Sequence, residues 1–155
     1  MNERYEAPPV VMDTNVLVAG ACRRESSLAY QILKKVLSKQ IPLMLTETIA
    51  LEYLEVLQRK PVMELTRLGY EQSADLVNEL IELSRQIQLS FSWRPNLRDE
   101  SDNKFVEAAV FGRAMILTCN IRDFQSPDLT RFGWQAMTPH EFMTRYFSIG
   151  GMENG

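Results

Sequence analysis

The sequence predicts an α/β protein with a mainly parallel sheet that is covered by helices on both faces. Two observations support this prediction. Short apolar runs, too short to form amphipathic helices, alternate along the chain with longer stretches in which apolar residues recur every three or four positions. The first of these runs, residues 10–12, ends directly at a carboxylate, Asp13. Strands that alternate with helices are typical of parallel sheets with helices on each side.

The first half of the chain is predicted to contain two strands, each followed by a helix. The helix after the second strand is expected to stop at Pro61, because a proline disfavours helical geometry in the residue before it. Gly69 is expected to cap the C-terminus of a short helix. The predicted elements are a strand at 10–12, a helix from Ser26 or Ser27 to about Ser38, a strand at 43–45, a helix at about 47–59 and a short helix near 63–68.

The second half continues the alternation. Ser101 or Asp102 is expected to begin a helix that runs to Phe111, with Gly112 after it. The closing helix is expected to start at Thr138 and Pro139. The other predicted elements are a helix at about 71–86, a strand at 87–91, a strand at 115–118 and a last short strand at 134–137.

Composition indicates one ordinary globular domain. The chain has 155 residues, of which 45% are hydrophobic and 24% charged. We expect a single domain over residues 1–155, with its core at about 8–147 and flexible termini.

No run is long enough to span a bilayer, and the N-terminus is polar where a signal peptide would be apolar. Cys22 and Cys119 are far apart, so we expect reduced, buried thiols and a cytoplasmic protein.

The net charge restricts the classes of nucleic-acid-binding protein that fit. The formal charge is −3 and the sequence pI is about 5.3, whereas proteins that hold duplex nucleic acid through its phosphates usually carry a basic surplus. The charge therefore disfavours a tight, non-catalytic binder. It remains compatible with an enzyme whose acidic cluster is neutralised by metal ions, with basic residues only at the rim of the site.

Helical phase separates two neighbouring glutamates in the predicted helix at 47–59. Glu52 has apolar neighbours three residues before and four residues after it, Ile49 and Val56, so it borders the buried face. Glu55 instead faces Arg59 at the i+4 position, a pairing typical of a solvated helix face. Glu52 is therefore the candidate site residue of the two.

Further polar residues stand at predicted strand ends and helix starts. Asp99 and Asp102 flank the start of one helix, and Asn120 and Asp123 follow the strand at 115–118. Together with Asp13, such residues converge in space in an α/β sheet. Oxygen ligands of this kind suit Mg²⁺ or Mn²⁺, and metal-assisted phosphodiester hydrolysis is the chemistry that such a cluster most often serves.

Four segments in this order resemble the PIN-domain family, of the kind that includes the VapC-type toxins of toxin–antitoxin pairs. The matching segments are 13–17 (DTNVL), 46–53 (TETIALEY), 98–109 (RDESDNKFVEAA) and 117–124 (LTCNIRDF). The resemblance implies a Rossmann-like three-layer sandwich and an endoribonuclease that uses Mg²⁺ or Mn²⁺ to cleave single-stranded RNA. It also implies the toxin member of a toxin–antitoxin pair, with a small antitoxin protein as a partner, and a homodimer.

Carried over residue by residue, the resemblance assigns three acidic metal positions to Asp13, Glu52 and Asp102. The fourth position corresponds to Asn120 or Asp123, because the residue directly after the strand is a neutral amide here. The implied catalytic residues are Asp13, Glu52, Asp102 and Asp123, and the implied metal ligands are Asp13, Glu52, Asp102 and Asp99. Thr14, Asn15, Thr118 and Asn120 would orient these ligands through hydrogen bonds. Arg23, Arg24, Lys104 and Arg122 would contact RNA phosphates.

Two other functions fit parts of the sequence. One is a PIN-like module without catalysis, acting through dimerisation or partner binding, which the neutral Asn120 and the acidic pI would suit. The other is a phosphatase that forms an aspartyl-phosphate at Asp13. That chemistry needs a second aspartate two residues later, where this chain has Asn15, so the phosphatase ranks last.

Overall fold

The structure, a computed structural model, describes residues 7–86, 102–124 and 135–147. The strands within these ranges pair in parallel. One ladder has the order β1-β4-β5 and a second pairs β2 with β3. A bridge between Val10 and Leu43 joins β1 to the β2 side, which gives the order β3-β2-β1-β4-β5 across the molecule. The strands are β1 (Val10–Met12), β2 (Met44–Leu45), β3 (Arg85–Gln86), β4 (Met115–Leu117) and β5 (Gln135–Met137).

Helices flank this sheet, so the predicted α/β three-layer architecture is confirmed. The described residues form α1 (Thr14–Ala21), α2 (Leu28–Leu37), α3 (Glu47–Leu57), α4 (Lys60–Thr66), α5 (Tyr70–Leu83), α6 (Asn103–Gly112) and α7 (Pro139–Phe147), and a 3₁₀ turn at Ile121–Phe124. None of the helices in these ranges is both long and apolar enough to cross a membrane.

The strand order places a switch point between β1 and β4, the position at which open α/β sheets bind ligands. Both strands are buried along their whole length, as expected for a parallel sheet covered on both faces. Hydrogen bonding extends past the strand ends. The Asp13 N–H donates to Leu117 O at 2.8 Å, and the Thr118 N–H donates to Met137 O at 3.0 Å. Asp13 and Thr118 are thereby fixed side by side at the carboxyl edge.

Capping side chains set where three helices begin. Ser27 accepts from the Tyr30 N–H at 3.2 Å and so caps α2, one of the two positions that the sequence left open. Thr46 accepts from the Ile49 N–H at 3.2 Å and caps α3. Before α7, Thr138 and Glu141 cap each other's backbone N–H groups in a reciprocal pair.

The helix α4 differs from the prediction at both of its ends. It runs from Lys60 to Thr66, and Pro61 lies in its first turn, where the missing N–H costs nothing. The left-handed residue that terminates it is Arg67, with φ 61°. Gly69, predicted as this C-cap, has φ −74° and instead precedes α5 as its N-cap. The prediction for Gly69 was wrong because Arg67 adopts the left-handed geometry usually left to glycine.

Of the remaining predictions, two differ from the structure and two fall on residues outside the described ranges. The helix predicted to reach residue 86 ends at Leu83, because Arg85 and Gln86 pair with β2. The strand predicted at 87–91 lies outside the described residues, as does Trp134 at the start of the last predicted strand. Both cysteines are free, but Cys119 is exposed and Cys22 only half-buried, so the prediction of buried thiols was wrong.

Candidate active site

Asp13 is the buried carboxylate at the centre of the site. It connects β1 to α1 and is only 7% exposed. Its side chain makes no capping hydrogen bond to α1. Instead its Oδ2 accepts from the Thr118 hydroxyl at 2.7 Å, across the switch point of the sheet. The Asp13 carboxylate is therefore oriented by the end of the neighbouring strand, in addition to the backbone of Thr14 at the start of α1.

The electrostatic surroundings of Asp13 disfavour its charge. Burial raises the pKa of this carboxyl above its ordinary value of 3.8 and is the largest cause. Hydrogen bonds from the Thr118 hydroxyl and the Thr14 backbone lower the pKa, and the negative charges of Glu52 and Asp123 raise it again. The net effect is upward. A buried carboxylate close to two others is stabilised most by a nearby cation.

Glu52, a residue of α3, lies close enough to Asp13 for its charge to act on that carboxyl. The two carboxylate oxygens of Glu52 have different partners. The Thr14 hydroxyl donates to Oε2 at 2.5 Å, and the Lys104 ammonium lies 2.8 Å from Oε1. By contrast, Glu55 is exposed and forms an ion pair with Arg59 at 3.0 Å. The separation of the two glutamates by helical phase is therefore confirmed.

The loop after β4 is tied to the site by a chain of polar contacts. The Thr118 hydroxyl accepts from the Asn120 N–H at 3.0 Å, and the Asn120 amide donates to Asp123 Oδ2 at 3.0 Å. Asn15, at the start of α1, accepts from the Cys119 N–H at 3.2 Å. Asn120 therefore orients Asp123. Of the two residues at the open fourth position, Asp123 supplies the carboxylate whose charge reaches Asp13.

The acidic residues near α6 are placed in part. Asp102 is half-buried at the N-terminal boundary of α6, two residues before the lysine that reaches Glu52. The N-terminal turn of α6 therefore faces α3. The adjacent Asn103 is 4% exposed, and its Oδ1 has no hydrogen-bond partner within the described ranges. Asp99 lies outside the described residues.

The four basic residues that were predicted to contact RNA differ in their exposure and in their partners. Arg24 and Arg122 are exposed, and Arg24 lines a groove of about 490 Å³ that also includes Thr14 and Asn15. Arg23 is exposed as well, but its guanidinium donates to Thr66 O at 3.2 Å. Lys104 points inward to Glu52. Three of the four are therefore exposed, and Arg24 also lies at the groove beside Thr14.

Tyr53 is a site residue to which the sequence reasoning assigned no role. Its ring is fully buried, and its hydroxyl donates to Met12 O at 2.6 Å, the carbonyl directly before Asp13. Burial, together with the charges of Asp13 and Glu52, raises the pKa of the Tyr53 phenol, so it stays a neutral donor. Tyr53 lies four residues after Ile49, on the buried face of α3. This spacing could have identified it as a core residue that supports the end of β1.

The donor chemistry of the site fits a hard divalent cation. Its polar groups are carboxylate, hydroxyl and amide oxygens, the ligands that Mg²⁺ and Mn²⁺ take in proteins. Burial, and to a smaller extent the charges of Glu52 and Asp123, raises the pKa of Asp13, and a bound cation would favour its charged form. The residues therefore fit a cation by the chemistry of their donors. Within the described ranges, no three acidic, histidine or cysteine side chains come together as a group that could hold a metal ion.

The fold and the site define an α/β protein with a buried carboxylate and neighbouring acidic residues at the switch point of its parallel sheet. Comparison with protein families matches residues 9–122, most of the chain, to the PIN domain. The chain belongs to the PIN-domain family. PIN domains are generally nucleases and usually use divalent metal ions. A search of curated proteins gives no match to this chain.

Proposed function

We propose that this PIN domain is a metal-dependent endoribonuclease that cleaves single-stranded RNA. The observation that supports this most strongly is Asp13, a buried carboxylate held by Thr118 at the switch point, with Glu52 and Asp123 within electrostatic reach. A carboxylate kept in so unfavourable a position is typical of a functional site. Metal-assisted phosphodiester hydrolysis uses carboxylates arranged in this way.

Asp13, Asp123 and Asp102 would hold a Mg²⁺ or Mn²⁺ ion, with Asp99 as a further candidate and Glu52 completing the acidic cluster. When bound, such an ion lowers the pKa of a water molecule and neutralises charge on the scissile phosphate. Thr118 would keep the Asp13 carboxylate in one orientation, and Asn120 would do the same for Asp123.

The charges of the chain support single-stranded rather than duplex RNA as the substrate. Holding both phosphate strands of a duplex requires many basic contacts, and this chain has a net charge of −3. Arg24 and Arg122 supply a few point contacts at the rim, which is enough to position one strand. The acidic centre and the basic rim then act on the same phosphate.

A toxin role with a small antitoxin partner is part of the same proposal. The groove of about 490 Å³ beside the site is lined by Thr14, Asn15 and Arg24, and by apolar residues of α1, α3 and α4. A short protein segment seated there would cover the approach to Asp13. We also propose a cytoplasmic homodimer. Light scattering of the purified chain and its copurification with the product of a neighbouring small gene test these two partners.

RNA cleavage tests the proposed function. Wild type should cleave a labelled single-stranded RNA with Mn²⁺ or Mg²⁺ and should be inactive with EDTA. Asp13→Asn should show no cleavage above background. The control variant Glu55→Gln, which alters an exposed ion pair on the solvent-facing side of α3, should match wild type. Equal cleavage by wild type and Asp13→Asn, or none by wild type, would reject the proposal and favour a non-catalytic module.

A further inference from the structure

The carboxylate of Glu52 already has a cation beside it, which belongs to the chain itself. The Lys104 ammonium lies 2.8 Å from Oε1, within hydrogen-bonding distance. The other oxygen, Oε2, accepts from the Thr14 hydroxyl. Both oxygens of Glu52 are therefore engaged by groups from other elements, one from α6 and one from α1.

This ion pair is mostly shielded from solvent. The side chain of Lys104 is 17% exposed and that of Glu52 is 25% exposed, whereas the surface pair of Arg59 and Glu55 is more than half exposed on both sides. The Lys104 ammonium also lies 5.2 Å from the centre of the Phe105 ring, a distance at which a cation is attracted to the ring face. Lysine acts as a compact point charge, so it resembles a small cation more closely than arginine does.

We propose that Lys104 is a built-in cation of this site and holds the Glu52 end of the acidic cluster, so that the site binds a single divalent ion at its Asp13 end. The proposal rests on the proposed function and makes it more specific. In it, Lys104 is a positioning residue, and Glu52 fixes the ammonium rather than a metal ion.

The space beside Glu52 supports this division of the site. The negative charges of Glu52 and Asp123 both act on Asp13, and the Lys104 ammonium offsets that of Glu52. A second ion bound to Glu52 Oε1 would lie about 2 Å from that oxygen, in nearly the space that the ammonium takes, and the two cations would repel each other.

The test counts bound Mn²⁺ ions without RNA, by titration calorimetry and by electron paramagnetic resonance of free Mn²⁺. Wild type should bind a single ion, and Asp13→Asn should lose it. Lys104→Met, which keeps the length of the side chain but not its charge, should bind a second ion at the vacated Glu52. Lys104→Arg, the control that keeps the charge, should stay at one ion.

A second variant keeps the proposal testable if Lys104→Met does not fold. Glu52→Gln should keep the single ion of wild type, because Glu52 is not expected to bind it. Two ions in wild type, an unchanged count in a folded Lys104→Met protein, or loss of the ion in Glu52→Gln would each overturn the proposal. These counts do not depend on cleavage. A protein that binds ions as expected but cleaves no RNA would fail the proposed function and leave this inference standing.

Discussion

Asp13 is held by the end of the neighbouring strand β4 through both its backbone and its side chain. Its N–H donates to Leu117 O, and its carboxylate accepts from the Thr118 hydroxyl. Beneath it, Tyr53 donates to the carbonyl of Met12. The orientation of the carboxylate is therefore a property of the folded sheet.

Removing the Thr118 hydroxyl should impair the site without disrupting the sheet. Thr118→Val keeps the shape of the side chain but loses the donor to Asp13 and the acceptor for the Asn120 N–H. Hydrogen bonds of this kind to metal ligands contribute about 10–100-fold to activity or metal affinity, so we expect RNA cleavage to fall by about that factor. Thr118→Ser, which keeps the hydroxyl, should cleave almost as well as wild type. Equal activity of the Val and Ser variants would contradict this role.

Without metal, the charge of Asp13 should make the protein less stable at neutral pH. Because the pKa of Asp13 is raised in the folded state above 3.8, the folded protein binds a proton more readily than the unfolded chain. The free energy of unfolding therefore decreases as pH rises from about 3.8 through the folded pKa, and the loss persists above it. Asp13→Asn should melt at a higher temperature than wild type at pH 7 in EDTA.

The same comparison at lower pH provides the control. As pH falls toward 3.8, wild-type Asp13 becomes protonated in the folded state, so the difference in melting temperature should shrink. Glu55→Gln, which removes a carboxylate from an exposed ion pair, should not melt at a higher temperature than wild type at pH 7 in EDTA. A wild type more stable than Asp13→Asn at pH 7 in EDTA would show that burial does not penalise this charge.

Local sequence features predict the starts of these helices better than their ends. Ser27 precedes an apolar stripe and caps α2 as expected, because capping needs only a short side chain at the right backbone position. The end of α4 at Arg67 has no comparable marker. A left-handed arginine is less favourable than a glycine there, and only packing in the folded chain determines that it occurs.

The contact between α1 and α2 depends on a glycine. A Cβ atom at Gly20 would lie 2.9 Å from Ala29 O and 3.2 Å from the Leu33 Cβ. Because the nearest atom belongs to the backbone, the two helices would have to move apart. We expect Gly20→Ala to lower the free energy of unfolding by about 1–3 kcal/mol in chemical denaturation, the usual cost of overpacking a core.

Gly69 provides the matched control for this prediction. It has φ −74°, and a Cβ there would meet only the end of the Gln72 side chain, at 3.6 Å. Gly69→Ala should therefore change the free energy of unfolding by less than about 0.5 kcal/mol, since the gain from a less flexible unfolded chain offsets a slightly poorer N-cap. Equal losses in the two variants would show that close helix packing is not the cause.

Across the whole chain, the sequence predicts candidate residues for the site but not how they contact one another. Asp13 could be selected because it ends an apolar strand, and Glu52 because its helical neighbours are apolar. The pairing of Glu52 with Lys104 could not be predicted, because it depends on how α6 packs against α3. The order of the strands, which brings Thr118 to Asp13, is likewise a tertiary property.

The most direct test of this account is a crystal structure of the protein grown or soaked with Mn²⁺, with the ions located by anomalous scattering. We predict one peak bonded to an Asp13 carboxylate oxygen, with Asp123 or Asp102 contributing a further ligand, and the Lys104 ammonium still on Glu52. An ordered site that binds Mn²⁺ only away from Asp13, or none at millimolar Mn²⁺, would contradict the claim that this PIN domain is built around a catalytic cation at the end of β1.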